Sequence, residues 1–258
     1  MSDFFKNDKQ PKCIILDWDG TLVDVEPVIH KAYKATLQEL NSPLKDAWSP
    51  VDTHQQNGLA PKDIFDNELI WGNYKGEDGL AKQLFYKHYR ALMAEDKEAP
   101  YLKEGALELL QTLNAAYPTA RVVILAAKTH DILNNEVASK SELSPWVNAV
   151  WGTDAKRGFS KQNDAIFHEA VFGLDISDNP HLRLGEVVYI GDNVDKDTDF
   201  ARICQISPVI VNDKDKRADY ISLTELTNAV RTQFRERNMA LLKSQKQTPH
   251  INNIHTNG

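Results

Sequence analysis

The sequence predicts an α/β fold: a doubly wound parallel sheet interrupted by an inserted, all-helical unit. Three observations predict it. Short apolar runs near 13–16, 121–125, 186–190 and 208–211 read as strands buried on both faces, as in a parallel sheet. Between the later runs apolar residues recur at helical spacing, and strands alternating with helices build parallel sheets. Residues 26–99, in contrast, carry helical spacing with no strand alternation.

The first run, Cys13 to Leu16, stops at Asp17-Trp18-Asp19-Gly20-Thr21-Leu22-Val23-Asp24. Gly20 lets the chain turn sharply away from the strand end. Two carboxylates then stand where open α/β sheets place their ligands. At a separation of about 4 Å and an effective dielectric near 20 their repulsion is roughly 4 kcal/mol. A site that keeps both ionised holds a cation, and hard oxygen ligands suit Mg²⁺. Alone, Asp-x-Asp-Gly is also a common solvated turn, so the downstream sequence decides.

Ile29, Tyr33, Thr36, Leu37 and Leu40 predict an amphipathic helix over 27–40, ended by Asn41-Ser42-Pro43. A looser stretch contains Pro50, Gly58 and Pro61, and a second helix covers about 79–94. Glu95 to Pro100 is charged and reads as a linker. Leu102, Ala106, Leu109, Leu110 and Leu113 form a helical face ahead of the strand 121–125, after which the Thr129 hydroxyl is a candidate helix cap. Trp146 to Trp151 is a short strand candidate, and Asp164 to Phe172 reads as a helix. The strand 186–190 ends in Gly191-Asp192. After 208–211, Ser222-Leu223-Thr224-Glu225 is a capping box that opens a last helix along Leu226, Val230 and Phe234. The expected division is therefore a discontinuous core of 11–25 and 100–242, a helical insert of 26–99, and a polar, disordered tail of 243–258.

With 41% hydrophobic and 26% charged residues among 258, the chain can bury a real core. A net charge of −7 argues against a general nucleic-acid binder. It leaves room for a phosphorylated substrate, because a bound cation reverses the local field. Cys13 and Cys204 lack metal-like spacing and read as buried thiols. The polar first residues are no secretory signal, and no apolar run reaches the ~20 residues that cross a membrane. The expectation is a cytoplasmic protein, monomer or homodimer, without nucleic-acid or membrane partners.

Three later stretches complete a chemical set. The strand 121–125 runs into Ala126-Ala127-Lys128. Gly158-Phe159-Ser160-Lys161 places a lysine shortly before a helix, with Lys156 as a competitor. Tyr189-Ile190-Gly191-Asp192-Asn193-Val194-Asp195-Lys196-Asp197 again ends a buried strand in acids. In this order, with Asp17 to Asp24 leading, the motifs resemble those of the haloacid dehalogenase (HAD) superfamily over about residues 12–230. An insert between the first two motifs resembles the helical C1 cap of the phosphoglycolate phosphatase-like group.

The resemblance implies a Mg²⁺-dependent phosphatase that hydrolyses a small phosphorylated metabolite through an aspartyl-phosphate. It implies Asp17 as nucleophile, Asp19 as general acid/base and Lys161 as the cation holding nucleophile and phosphate together. Mg²⁺ would be held by Asp17, the Asp19 backbone carbonyl and Asp192, with Asp197, which fits the family's longer spacing, in support and Asp195, one residue short of the tighter spacing, as a rival. Gly20, Thr21, Ala126 and Ala127 occupy the phosphate-binding positions. Ala126 departs from the family's Ser or Thr, a lost donor worth roughly 2–4 kcal/mol in the transition state if uncompensated. A sugar-phosphate mutase or phosphotransferase on the same core, and a catalytically impaired phosphate-binding protein, are the alternatives. Gly58, Lys62, Trp71 and Lys75 form a basic and aromatic set for substrate selection, or else Trp71 is helical core and the lysines are solvated.

Overall fold

The computed structural model describes residues 10–56, 64–76, 79–153 and 184–247. Strand β1 (Cys13–Leu16) is followed by a two-residue strand β2 (Val23–Asp24). Helices α1 (Glu26–Glu39), α2 (Pro50–Gln56), α3 (Glu68–Trp71) and α4 (Leu80–Glu95) come next, then β3 (Tyr101–Leu102). The remainder alternates: α5 (Ala106–Ala116), β4 (Arg121–Thr129), α6 (His130–Ser139), β5 (Ala149–Thr153), β6 (Val187–Gly191), α7 (Val194–Ile203), β7 (Ser207–Ile210) and α8 (Leu223–Gln247).

β1 lies at the centre of a parallel sheet of order β5-β4-β1-β6-β7. Leu16 is level with Ile124 on one side and Ile190 on the other, so three chains leave the sheet at one edge. Because successive side chains alternate faces, Ile14 and Leu16 pack into the cluster of α5 and α8 residues Leu109, Leu113, Leu226 and Val230. Cys13 and Ile15 join Phe200 and Ala201 of α7, and Cys204 at its C-cap, on the other face. Each fully buried Ile or Leu contributes about 1.5–3 kcal/mol, so the sheet edge is a rigid platform. Both thiols are buried, and burial pushes that of Cys13 up to about 12.

The helical layer has its own core. Tyr33 of α1 lies 4.8 Å from Phe85 of α4 between ring centres, and Trp48, Phe65 and Trp71 close around them. Trp71 is 2% exposed and donates to the Ile64 carbonyl, so it serves packing; Lys75 is exposed and pairs with Glu68. Gly58 and Lys62 lie outside the described residues. The two chain crossings into this layer are tied together, since β2 and β3 pair antiparallel through Val23↔Leu102 and Asp24↔Tyr101.

Several expectations shift. Thr129 stands at the N-cap of α6 but makes no side-chain cap hydrogen bond; the strand carries on through it. Asn193 instead caps α7, its side chain accepting from Lys196 N. At α8, Ser222 Oγ accepts from Glu225 N and Glu225 Oε2 from Ile221 N. The strand expected at Trp146–Trp151 runs Ala149–Thr153. α8 extends to Gln247, five residues into the expected tail, because no helix breaker precedes Pro249. The helix expected at 164–172 and the remaining tail lie outside the described residues. Among the described residues no helix is long and apolar enough to cross a membrane.

Candidate active site

The exit from β1 is pinned by the backbone. Asp17 N donates to the Ile190 carbonyl, and Leu22 N and Val23 N both donate to the Trp18 carbonyl. Gly20 takes φ +79°, and a Cβ there would run into the Asp192 carboxylate. Glycine is thus required twice over: for its backbone and for the close approach of β1 and β6 exits. Thr21 Oγ1 reaches Asp192 Oδ1 at 3.3 Å, and Asn212 donates to the Asp192 carbonyl at 2.8 Å.

Asp17, Asp192 and Asp197 each bring a carboxylate oxygen within 4.8 Å of the other two. Asp17 is 7% exposed and Asp197 2%. Asp197 accepts from Tyr189 OH at 2.9 Å and from Asn193 N at 2.8 Å. Burial, with Asp17 and Asp197 alongside, holds the Tyr189 phenol well above its ordinary value, so it remains a donor. Three carboxylates clustered this closely fit a hard divalent cation. Asp195, by contrast, is exposed and paired with Arg217 at 2.9 Å; of the two rivals, Asp197 is the one in the cluster.

Asp19 sits beside a cation that the motif reading passed over. Lys128 Nζ is 2.8 Å from Asp19 Oδ1 and 2.7 Å from Glu136 Oε2. That Asp19 oxygen receives no well-aligned hydrogen bond, so the attraction is chiefly charge on charge. Lys128 arrives there because β4 slips register against β5 between Ala126 and Thr129. Gly152 permits this bulge: a Cβ on it would strike the Lys128 carbonyl and the His130 backbone. Burial alone would depress the Lys128 ammonium, but Asp19, Tyr89 and Glu136 outweigh it and hold it well above 10.5.

Glu136 gathers donors from three places. Trp18 Nε1 donates to Oε2 at 2.8 Å, Tyr89 OH to Oε1 at 2.6 Å, and Lys128 supplies the charge. Tyr89 belongs to α4, so this buried carboxylate joins the helical layer to the sheet. Burial keeps the Tyr89 phenol protonated, its value raised well above 10.0. The sequence offered one signal for Glu136, an acid three residues after Leu133 and next to Val137 at helical spacing; in the fold it is 3% exposed on the apolar face of α6.

Asp17, Asp19, Gly20, Ala127, Lys128, Asp192 and Asp197 all line one cavity of about 460 Å³ that reaches into the helical layer. Ala126 is 0% exposed and its methyl is part of the core. Thr21 is buried beneath Asp192, where its hydroxyl is used to hold that carboxylate. Lys161 and Lys156 lie outside the described residues.

Solved structures share the fold. A haloacid dehalogenase-like family protein of Streptococcus pneumoniae is 19% identical, over 84% of this chain and 96% of its own, with TM-score 0.62. CbbY of Rhodobacter sphaeroides, in complex with phosphate, is 16% identical over 84% and 96%, with TM-score 0.61. YfnB of Bacillus subtilis, a HAD-hydrolase candidate bound to magnesium, is 16% identical over 86% and 99%, with TM-score 0.58. No curated protein matches the sequence. The family model for haloacid dehalogenase-like hydrolases matches residues 11–204, well over half of the chain. With the parallel sheet and the acids at its edge, that match makes the chain a member of the haloacid dehalogenase-like hydrolase family.

Proposed function

We propose that the protein is a Mg²⁺-dependent phosphatase acting on a small phosphomonoester through an aspartyl-phosphate at Asp17. The observation that carries this reading is the carboxylate cluster of Asp17, Asp192 and Asp197, with Asp19 two residues from Asp17 and paired to Lys128. Asp17, Asp192 and the Asp19 carbonyl would hold the ion, with Asp197 supporting them. The bound ion supplies charge neutralisation that lets an anionic phosphate approach these carboxylates.

In the first step an Asp17 carboxylate oxygen attacks phosphorus, and the bond from phosphorus to the ester oxygen breaks. Asp19 delivers its proton to that departing oxygen. In the second step water attacks the aspartyl-phosphate, Asp19 takes the proton, and phosphate leaves as the Asp17 carboxylate is restored. Lys128 and Glu136 position Asp19; Thr21 and Gly20 hold the loop against Asp192. Lys161 keeps the role its motif implies, holding nucleophile and phosphate together.

Residues 26–99 act as a cap over a core of 11–25 and 100–242. The cavity running from the carboxylates into α1 and α4 supports this division, as does the β2–β3 pairing that ties both crossings. Ala126 favours a weaker second reading, an impaired phosphate binder, because its methyl is sealed in the core. Against it, Lys128 offers a cation to the same cavity one bulge further on. The test is to quench turnover with borohydride in the presence of Mg²⁺ and a phosphomonoester. Reduction at Asp17, read by peptide mass, is expected; an unmodified Asp17 under turnover refutes the covalent route.

A further inference from the structure

Resting on the phosphatase reading, the cavity assigns a substrate class: we infer that the phosphate is carried by a ring-bearing alcohol with a hydrogen-bond donor, rather than by a small ring-free metabolite. The two ends of the cavity differ in kind. One end is the carboxylate cluster. Toward the helical layer the lining includes Ile29, Phe65, Phe85, Tyr86 and Ile132, together with Gln56. Aromatic and aliphatic walls of this sort accept a flat apolar group and gain from dispersion and stacking.

Two further observations sharpen the class. The first concerns charge. Among the described residues two lysines line the cavity, Lys128 and Lys196. Lys128, at the junction of the two ends, already faces two carboxylates, at 2.8 Å from Asp19 and 2.7 Å from Glu136. Lys196 stands on α7 beside Asn193, on the acidic side. The Lys128 ammonium already lies 5.8 Å from the centre of the Tyr89 ring, so its charge reaches the ring-lined end, where a cation favours an aromatic group. The second concerns Gln56. Its Oε1 is buried and accepts no hydrogen bond, and the residue lines the same cavity. A donor on the leaving group, a hydroxyl or an N–H, satisfies that oxygen. The size agrees, since about 460 Å³ lies toward the small end of ligand pockets and holds a phosphate with one ring.

The experiment compares benzyl phosphate, 3-hydroxybenzyl phosphate, 2-phosphoglycolate and glycerol 3-phosphate, with acetyl phosphate as a ring-free control. The first four are esters of primary or similar alcohols, so the chemistry of departure changes little across them. Turnover is measured on the natural protein with Mg²⁺, and binding by calorimetry on Asp17→Asn with Mg²⁺. We expect benzyl phosphate to exceed 2-phosphoglycolate at least tenfold in kcat/KM and in affinity. The 3-hydroxyl should add several-fold, and Gln56→Leu should remove that increment. Ile132→Lys should narrow or reverse the preference over 2-phosphoglycolate. If 2-phosphoglycolate or glycerol 3-phosphate equals benzyl phosphate with ready turnover, the substrate class is overturned and the phosphatase reading stands. If acetyl phosphate and every ester are neither bound nor hydrolysed, both fall.

Discussion

The two ends of the cavity are built by different means. Its acidic floor stands on the exits of neighbouring parallel strands, and almost every side chain there is held by another: Thr21 on Asp192, Tyr189 on Asp197, Lys128 on Asp19. Its apolar roof is the inner surface of a helical layer whose rings pack among themselves. Sheet exits fix positions to the precision that bond making demands. A helical roof fixes volume and polarity, which on the proposed reading is what selection of a leaving group requires. The two are joined at Glu136, where donors from the β1 exit, the β4 bulge and α4 converge.

The strongest way to break this comparison is at the floor. Asp17→Asn should abolish turnover, by roughly 10⁴-fold or more in kcat, while circular dichroism shows an unchanged fold; a loss below tenfold would remove Asp17 from the chemistry. Next is the junction. Lys128→Met leaves Asp19 and Glu136 facing each other unneutralised, and breaking a buried pair costs about 3–5 kcal/mol. Because the folded-state ammonium is held above its ordinary 10.5, the Lys128 contribution is fully present below that value and is lost only as pH rises through the raised one. The gap in melting temperature between natural protein and variant should therefore stay constant between pH 7 and pH 9.

Tyr89→Phe removes one donor to Glu136 and should cost about 1.5–3 kcal/mol by denaturant titration, with the helical layer loosened on the sheet. At the floor again, Asp197→Asn should weaken Mg²⁺ binding roughly 10–100-fold by calorimetry. Asp195→Asn, two residues away and paired on the surface with Arg217, should change neither Mg²⁺ affinity nor rate. Equal effects from the last two would show that the cluster has been drawn around the wrong acid.

The sheet and most of its helices were legible because buried parallel strands and amphipathic helices leave periodic marks. Runs such as Val187 to Ile190 have few other ways to be buried. The acids at strand ends were legible for the same reason: a strand that stops at Asp17 or Asp192 fixes where that side chain goes. Lys128 was not legible, because its position depends on a register slip against β5 that rests on Gly152, far along the chain. Glu136 and Tyr89 meet across two units of the fold, and no local pattern encodes that contact. The choice between Asp195 and Asp197 turned on helical phase: one faces Arg217 and the other Tyr189. The apolar character of the roof was hidden for a similar reason, since Ile29, Phe65 and Ile132 are distant in sequence and share one wall only after folding.

The most direct measurement of the central claim is phosphate release from phosphomonoesters by the natural protein and by Asp17→Asn, each with Mg²⁺ and with chelator. The account predicts turnover by the natural protein with Mg²⁺ alone, none with chelator, and none from Asp17→Asn under either condition. Turnover that survives chelation, or that survives loss of the Asp17 carboxylate, would contradict it.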